Sequence, residues 1–333
     1  MYQVYVTDFL TEIGIEKEIL KDIAVVENLQ CSHEVQFPER MFTQADALIV
    51  WHYISISHKA IERMEKCKTV VRCGVGYDNV DIRTAGQKGI MVCNVPDYGT
   101  EEVADHAIAL MMTVARRIAY LSSLLAERDD CWNYQLGIPV MRLRNKTLGI
   151  IGLGRIGTAV ALRGKVFGMN VMTYDPYIPD GKDKSVGVRR VDELEELLTD
   201  SDVVSLHCPL TEETHHMIGC QEFDGMKPAS ILINTARGPV VDTVALKEAL
   251  EKESIGGAGL DVLENEPPFE KDILFKAWRN GRKGNLKHLF LTPHSAFYSE
   301  EAFEEMRRKS ALEVKRILEG KPPRNLVNQE YLI

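Results

Sequence analysis

A glycine-rich turn in the middle of the chain places the strongest constraint on how this sequence folds. The motif Gly152-Leu-Gly154-Arg155-Ile156-Gly157 follows the apolar run 147–151 and opens the helical pattern 155–167. Glycines at these positions permit a tight turn and let backbone N–H groups approach a pyrophosphate, which the positive end of the helix dipole stabilises. The order strand, glycine turn and helix therefore predicts a dinucleotide-binding site.

The next predicted strand ends in a carboxylate that favours NAD over NADP. Asp175 lies 18 residues after Gly157, where a ribose 2′-hydroxyl needs a hydrogen-bond acceptor. Pro176 and Tyr177 follow it, so no arginine is present there to receive a 2′-phosphate. We therefore expect NAD as the cofactor.

Short β-branched runs alternate with helical patterns along the chain, which is typical of βαβ units and parallel sheets. The ten predicted strands lie at residues 3–7, 47–51, 69–72, 91–94, 147–151, 170–174, 203–207, 231–235, 257–262 and 289–292. One long helix from Thr100 to about Glu127 is predicted between the two series, and a last helix runs from about Ser299 to Glu319. The second series predicts a doubly wound, Rossmann-type α/β sheet.

Composition narrows the class of protein. The length of 333 residues and the ordinary proportions of 45% hydrophobic and 27% charged residues favour two folded domains. With 40 basic against 49 acidic side chains, the net charge of −9 disfavours binding to nucleic acid or anionic membranes. Seven widely spaced cysteines, an acidic N-terminal segment and the absence of a long apolar run predict reduced thiols and a cytoplasmic protein.

Three side chains with complementary chemistry follow late strands. Arg237 follows the strand 231–235, Glu266 follows 257–262, and His294 follows 289–292. Open α/β sheets bind ligands at the carboxyl ends of their strands, and a guanidinium fork matches a carboxylate. Taken singly, each is more often a surface or structural residue, but together they suggest one catalytic cleft.

His207, His215 and His216 resemble a metal-binding group by proximity in sequence. They lack the H-E-x-x-H spacing and a neighbouring cysteine ligand. We therefore interpret them as structural and predict no metal site.

These motifs resemble the D-isomer-specific 2-hydroxyacid dehydrogenases, and within that family the chain is most similar to the C-terminal-binding protein branch. The resemblance spans nearly the whole sequence. It is carried by residues 71–81 (VRCGVGYDNVD), 93–96 (CNVP), 152–157, 171–180, 234–238 (NTARG), 259–267 (GLDVLENEP) and 292–300 (TPHSAFYSE).

The resemblance implies an architecture as well as a reaction. A flavodoxin-like α/β substrate domain of residues 1–100, completed by the C-terminal helix at 299–333, would enclose an NAD-binding Rossmann domain of residues 101–298. It also implies a homodimer formed largely by the NAD domains. The expected reaction interconverts a 2-oxo acid and a D-2-hydroxy acid by hydride transfer.

The resemblance further implies roles for individual residues. Arg237 would bind the substrate carboxylate and carbonyl, His294 would be the acid/base, and Glu266 would fix its tautomer and favour imidazolium. The amides of Val75 and Gly76 would form a second carboxylate contact. The expected cofactor-binding residues beyond the glycine motif and Asp175 are Val103, Cys208, Pro209, Thr235, Ala236 and Asp261.

The segment Trp51-His52-Tyr53 ends a strand of the first series, and in the family the corresponding loop contacts the substrate. Trp51 and His52 are therefore predicted to bind substrate, with Trp51 as part of an aromatic pocket. The alternative is that Trp51 and Tyr53 pack in the core and only His52 faces solvent.

One alternative function belongs to another class. A corepressor-like module that senses NAD and binds peptide motifs would keep the same three catalytic-type residues. Turnover of 2-oxo acids, as opposed to binding of short peptides, distinguishes the two.

Overall fold

The computed structural model describes residues 1–268, 272–280 and 285–332. The chain divides into two compact units, one formed by Met1–Gly99 with Tyr298–Ile333 and the other by Thr100–Phe297. Each contains one parallel sheet with helices, so the predicted α/β fold class is confirmed.

The first unit contains a five-stranded parallel sheet in the order β2-β1-β3-β4-β5, which is the flavodoxin-like order. Its strands are β1 (Tyr2–Val6), β2 (Ala24–Asn28), β3 (Ala47–Val50), β4 (Thr69–Arg72) and β5 (Met91–Cys93). Strand β2 was not predicted from the sequence. This edge strand pairs only with β1, and its half-exposed Val25 and polar end break the apolar run that marks a buried strand.

Four helices of the N-terminal segment and one C-terminal helix complete this unit. They are α1 (Gly14–Leu20), α2 (Glu39–Gln44), α3 (His58–Arg63), α4 (Ile82–Gln87) and α13 (Glu300–Leu318). Arg307 of α13 forms an ion pair with the fully buried Glu16 of α1, with 2.6 Å between Nη2 and Oε2. This contact attaches α13 to the N-terminal segment.

Helix α13 agrees with the helix predicted from about Ser299 to Glu319, which is shorter than the whole C-terminal segment 299–333. It ends at Leu318, and Gly320 follows in a left-handed conformation with φ of 77°. Lys321-Pro-Pro cannot easily continue a helix, because proline lacks the required N–H. Beyond it, Asn328 accepts a hydrogen bond from the Val92 amide at 2.9 Å, and Ile333 lies outside the described residues.

The second unit contains a seven-stranded parallel sheet in the order β12-β11-β10-β9-β6-β7-β8. Its strands are β6 (Thr147–Ile151), β7 (Asn170–Tyr174), β8 (Arg189–Val191), β9 (Val203–Leu206), β10 (Ile231–Asn234), β11 (Gly257–Leu260) and β12 (Leu289–Leu291). Strand β8 was not predicted from the sequence, because it has three residues, begins with two arginines and, among the described strands, pairs with β7 alone.

The described residues of this unit form eight α-helices, namely α5 (Thr100–Arg116), α6 (Ile118–Glu127), α7 (Arg155–Val166), α8 (Lys182–Val186), α9 (Leu194–Asp200), α10 (Cys220–Gly225), α11 (Thr243–Glu251) and α12 (Ile273–Asn280). Both faces of the sheet are covered. Ile233 packs in the core cluster with Leu110 and Val160, whereas its neighbour Leu232 packs in the opposite cluster with Leu246.

The predicted single helix from Thr100 to Glu127 is wrong in one respect. It breaks at Arg117, whose φ of 57° is left-handed, and α5 and α6 are bent by 61°. The Arg117 guanidinium is bound by the carbonyls of Pro139 and Gly256 at 3.2 and 3.1 Å, contacts that sequence periodicity does not reveal. In the described part of the chain, no single helix is long and apolar enough to cross a membrane, and only this bent pair together reaches that length and composition.

Candidate active site

The glycine turn after β6 is shaped by close backbone contacts. Gly152 has φ of 91°, and a Cβ there would lie 2.8 Å from the Cys208 amide nitrogen. A Cβ on Gly157 would lie 2.0 Å from the Gly152 carbonyl oxygen. Both positions therefore require glycine, because any side chain would push the β6 turn away from α7 and from the end of β9.

The N-terminus of α7 is open on the side where a ligand would approach. A Cβ on Gly154 would meet no atom within 4 Å, and no side chain caps the helix. The residues of the first turn, Arg155 and Ile156, are exposed and half-buried. Uncapped N–H groups at the positive end of a twelve-residue helix fit a dinucleotide pyrophosphate.

Asp175 lies just beyond the end of β7, beside this turn. Its Oδ2 accepts a hydrogen bond from the Leu153 amide at 2.8 Å, and its Oδ1 accepts one from the Tyr177 amide at 3.0 Å. These bonds hold the carboxylate at the turn. Each oxygen has a further lone pair for a ribose hydroxyl.

Two buried polar atoms without a hydrogen-bond partner among the described residues lie at the ends of β9 and β10. They are Nδ1 of His207 and Oγ1 of Thr235. Burial lowers the pKa of His207 to about 3, so this ring is neutral at physiological pH. Unpaired buried atoms at these strand ends fit a site that a bound cofactor completes.

The remaining predicted cofactor residues follow the ends of β9 and β10, except Val103, which lies on α5. Cys208 and Ala236 are half-buried and Pro209 is exposed, whereas Val103 on α5 is buried. Burial raises the pKa of Cys208 to about 11, so its thiol stays protonated.

Arg237 follows β10 and begins a short 3₁₀ helix, Gly238–Val240. Its Nη1 donates to the Ala236 carbonyl at 2.8 Å, and its own carbonyl accepts from Nδ2 of Asn234 at 2.9 Å. A Cβ on Gly238 would lie 1.9 Å from the Leu263 carbonyl oxygen. The loop with Arg237 thus packs directly on the loop that leads to Glu266.

Glu266 and His294 are in contact. Oε2 of Glu266 lies 2.5 Å from Nδ1 of His294, and its Oε1 accepts from the Leu263 amide at 2.7 Å. About a third of each side chain is exposed, 31% for Glu266 and 27% for His294. An acceptor on Nδ1 requires a proton there, so Nε2 is the nitrogen that can exchange a proton with a ligand.

Asp261 shapes the turn that presents His294. Its nearly inaccessible carboxylate accepts hydrogen bonds from the Thr292 hydroxyl at 2.5 Å, the Ser295 amide at 3.0 Å and the Ala296 amide at 2.8 Å. The His294 amide donates to the Asp261 carbonyl at 2.8 Å, and His294 has a left-handed φ of 51°. Asp261 therefore holds a strained turn in place, whatever it contributes to cofactor binding.

His106 on α5 is a member of this cluster that sequence reasoning missed. Its Nε2 lies 2.9 Å from the Thr292 hydroxyl and 3.6 Å from Oδ1 of Asp261. The only signal was its place on α5 one turn before Leu110, a buried residue of the same helix. A lone histidine in an amphipathic helix gives no spacing that predicts such a contact.

The predicted substrate residues of the first unit differ in their surroundings. Val75 and Gly76 form the turn after β4, where Asn94 donates to the Val75 carbonyl at 2.6 Å. Neither amide donates a hydrogen bond to a described residue. Two adjacent free amides suit an anion.

Trp51 takes the core-packing alternative and not the predicted pocket position. Its side chain is fully buried, with ring centroids 5.5 Å from Phe9 and 5.1 Å from Phe303. His52 is half-buried, and Tyr53 is 59% exposed, so the packing alternative does not extend to Tyr53. A fully buried ring has no surface left for a substrate.

Asp8 is a second residue that sequence reasoning missed. Its buried carboxylate, at the carboxyl end of β1, accepts from the amides of Trp51, Tyr53 and Ile54 at 3.1–3.2 Å. Burial raises its pKa, against the effect of these hydrogen bonds. Asp8 therefore determines the conformation of the loop that contains His52.

Among the residues that the structure describes, no three histidine, cysteine or acidic side chains form a group that could hold a metal ion. His215 and His216 stack with 4.1 Å between ring centroids, and Nε2 of His216 contacts Glu264 at 2.8 Å.

Comparison with known proteins decides the family. Residues 108–296 match the model of the "D-isomer specific 2-hydroxyacid dehydrogenase, NAD binding domain". The chain belongs to the D-isomer-specific 2-hydroxyacid dehydrogenase family. The predicted family, enzyme class and NAD cofactor are thereby confirmed.

Three relatives illustrate the likeness. The chain is 38% identical over 98% of its length to a D-3-phosphoglycerate dehydrogenase of Methanocaldococcus jannaschii, of which it spans only 60%. It is 41% identical over 87% of its length to a glyoxylate reductase of Thermococcus litoralis and covers 85% of that protein. The structure of an Aquifex aeolicus D-lactate dehydrogenase complexed with NAD and lactic acid matches with a TM-score of 0.82 and 32% identity, covering 95% of this chain and 96% of that one.

Proposed function

We propose that this chain reversibly reduces a 2-oxo acid to the D-2-hydroxy acid with NADH. The observation that supports this most is the Glu266–His294 contact, formed in a loop that packs on the loop of Arg237. The family of NAD-dependent dehydrogenases to which the chain belongs carries out this class of reaction.

The three side chains have complementary roles in the proposed reaction. When bound, NADH supplies a hydride to the substrate carbonyl carbon. His294 donates the Nε2 proton to the carbonyl oxygen, and Glu266 holds the ring and favours its imidazolium form. Arg237 binds the substrate carboxylate and stabilises negative charge developing on the oxygen.

Other residues complete the proposed binding sites. The free amides of Val75 and Gly76 are the proposed second contact to the substrate carboxylate, and His52 is the proposed polar contact to its side chain. Asp175 is the proposed ribose ligand and the basis for preferring NADH over NADPH.

For the assembly we propose a homodimer, supported by an exposed apolar surface on the second unit. Helix α6 has no buried residue although most of its side chains are apolar. We call the exposed side chains of α6 and the following segment the apolar face, which comprises Ile118, Leu125, Trp132, Tyr134, Leu136, Ile138 and Val140. Patches of this kind are unusual on monomers and suit a second copy of the chain.

We further propose a cytoplasmic location for the protein. All seven cysteines are free thiols in the structure, which agrees with a reducing compartment.

The finer placement beside the C-terminal-binding proteins, and with it the corepressor alternative, has no observation in its favour. The relatives described above are a phosphoglycerate dehydrogenase, a glyoxylate reductase and a D-lactate dehydrogenase.

A panel of 2-oxo acids tests the proposal. NADH oxidation is followed at 340 nm with glyoxylate, pyruvate, 2-oxobutyrate, a branched 2-oxo acid and phenylpyruvate, and the chirality of the product is determined. We expect turnover of at least one acid with a D product. If none of the acids causes oxidation of NADH, or if the product is the L-2-hydroxy acid, the proposal is wrong.

A further inference from the structure

The loop after β11 has a second anchor in addition to the contact between Glu266 and His294. Its backbone passes over Gly238, where the Leu263 carbonyl and the Glu264 amide leave no room for a side chain. Within the loop, Glu266 binds the Leu263 amide. The position of Glu266 therefore depends on what holds residues 263 and 264.

Glu264 is bound by the start of helix α11 and by His216. Burial raises the pKa of Glu264, but hydrogen bonds from the side chain and amide of Thr243, with the hydrogen bond and charge of His216, outweigh this effect and lower it. Glu264 is therefore ionised at neutral pH. Because an ionised carboxylate only accepts, Nε2 of His216 donates across the 2.8 Å contact.

His216 is itself fixed by its backbone and its neighbours. It has a left-handed φ of 52°, and its amide donates to the Pro239 carbonyl at 2.8 Å. Its ring stacks on His215, and its Nδ1 lies 3.9 Å from Oδ2 of Asp242. The His216–Glu264 contact thus connects the segments that follow β9, β10 and β11.

We propose that His216 and Glu264 are positioning residues that hold Glu266 in contact with Nδ1 of His294. This inference rests on the proposed function and adds two residues on which the proposed reaction depends. The two side chains touch the substrate or cofactor in no step; they act through the loop 263–266. Displacement of an acid/base group by about 1 Å can cost on the order of 100-fold in rate.

Two variants and one control test this role. Glu264→Gln removes the charge that strengthens the contact with His216, and His216→Ala removes the contact itself, whereas Glu248→Gln removes an exposed carboxylate of helix α11 that pairs with Lys252 at 2.9 Å. We expect both anchor variants to lose roughly tenfold in kcat for 2-oxo acid reduction, with KM for NADH within about twofold of wild type. The upper limb of the kcat–pH profile should move to lower pH in both, because His294 loses part of its carboxylate contact. Glu248→Gln should match wild type.

The direction of the pH shift separates positioning from a through-space charge effect. Removing the negative charge of Glu264 would by itself destabilise a positive charge on the His294 ring. Removing His216 takes away no negative charge, so it cannot have this effect through space. A shift to lower pH in both variants therefore supports positioning. A shift in Glu264→Gln alone, or shifts of opposite sign, would overturn the proposal.

A double-mutant cycle tests whether the anchor acts through Glu266. In a Glu266→Gln background, the further loss caused by Glu264→Gln should shrink to about twofold or less, because the group being positioned has already lost its charge. Full additivity would contradict the proposal.

Amide hydrogen exchange gives a readout that does not need turnover. Residues 262–267 should exchange faster in Glu264→Gln and His216→Ala than in wild type or Glu248→Gln. If wild type reduces no 2-oxo acid, the proposed function fails, and the exchange rates alone decide whether the anchor exists. Unchanged exchange rates in both anchor variants would show that the His216–Glu264 contact does not hold this loop.

Discussion

At the scale of the residue, the reactivity of His294 depends on which of its nitrogens carries a partner. Glu266 contacts Nδ1, and the left-handed turn held by Asp261 determines the position of the His294 backbone from which the ring projects. Arg237 follows a different strand, β10, and its loop packs on the loop that leads to Glu266. Changes at these residues should therefore affect different parts of the reaction.

Removing the proposed acid/base and the proposed anion ligand should have distinct results. His294→Ala is expected to lower kcat roughly 10²–10⁴-fold, the usual contribution of a positioned acid/base. Arg237→Ala should abolish detectable turnover. Both variants should bind NADH like wild type by fluorescence titration, because neither residue is in the glycine turn. Near-normal kcat in either would place the active site elsewhere.

Glu266→Gln should change the pH dependence more than the structure. The amide can still accept from Nδ1 but carries no charge, so it stabilises a positive charge on the ring less than the carboxylate does. The upper limb of the pH profile for 2-oxo acid reduction should move down. The profile is measured as kcat/KM from pH 5 to 9 at constant ionic strength, and an unchanged limb would exclude Glu266 from the proton transfer.

Asp175 should determine the cofactor preference. A 2′-phosphate would repel this carboxylate and lose its hydrogen bond, and such bonds to charged groups contribute about 1.5–3 kcal/mol. We expect kcat/KM for NADH to exceed that for NADPH by roughly 10–100-fold or more, and Asp175→Ala to narrow the gap. Asp180→Ala, at a fully exposed carboxylate, is the control. Equal use of the two cofactors by wild type would contradict the prediction.

At the scale of the element, Asp202 connects the amino ends of two strands of the second sheet, at the end opposite to the proposed site. Its carboxylate accepts from the Thr147 amide and from Lys146, both at 2.9 Å, and Lys227 lies 3.6 Å away. These contacts join the starts of β6 and β9, the two central strands whose opposite ends meet the glycine turn. Although burial raises the pKa of Asp202, the Thr147 hydrogen bond and the two lysines lower it overall.

Asp202→Asn should therefore destabilise the protein in a pH-dependent way. A carboxyl whose folded pKa is lowered stabilises the fold above its ordinary pKa of about 3.9, and this contribution is lost as pH falls through the folded value. We expect a Tm lower by roughly 2–4 °C at pH 7, for a loss of about 1 kcal/mol. The difference should narrow below about pH 4.

Thermal unfolding of wild type, Asp202→Asn and Asp224→Asn over pH 3–8 tests this expectation. Asp224 is an exposed aspartate on α10 and should show no comparable effect. A difference that stays constant with pH would mean that the charge of Asp202 is not responsible.

At the scale of the whole molecule, the apolar face is the feature that a single copy of the chain leaves unexplained. Exposed aromatic and aliphatic side chains are concentrated there, including Trp132 at 90% and Tyr134 at 79%. Burying them against a second copy removes apolar area from water, which contributes roughly 25 cal/mol per Å² before the costs of association. The proposed homodimer follows from this arrangement.

Leu125→Glu should weaken the dimer, because it places a charge within the apolar face. We expect a lower mean mass by size-exclusion chromatography with light scattering at micromolar concentration. Leu312→Glu is the matched control, since Leu312 is similarly exposed, at 52%, but lies on α13 outside the apolar face. A dimer that persists in Leu125→Glu with an unchanged dissociation constant would contradict the proposed interface.

The sequence by itself determined the fold class, and it predicted the residues of the cofactor site and the three catalytic candidates. Each depends on a local pattern: β-branched runs for buried parallel strands, the spacing of three glycines for the turn of residues 152–157, and single reactive side chains placed directly after strands. Carboxyl ends of parallel strands lie at one edge of a sheet, so positions in sequence predict that Arg237, Glu266 and His294 lie near each other. The structure shows the contact between Glu266 and His294.

Only the tertiary structure decided features that depend on contacts distant in sequence. The edge strands β2 and β8 are stabilised by hydrogen bonds to one neighbour, so their sequences carry a weak apolar signal. The break at Arg117 depends on carbonyls 22 and 139 residues away, and the burial of Trp51 depends on Phe303. The same reason explains why Asp8, His106 and the His216–Glu264 anchor escaped prediction: a hydrogen bond between residues far apart in sequence leaves no periodic pattern, and the folded chain alone brings its partners together.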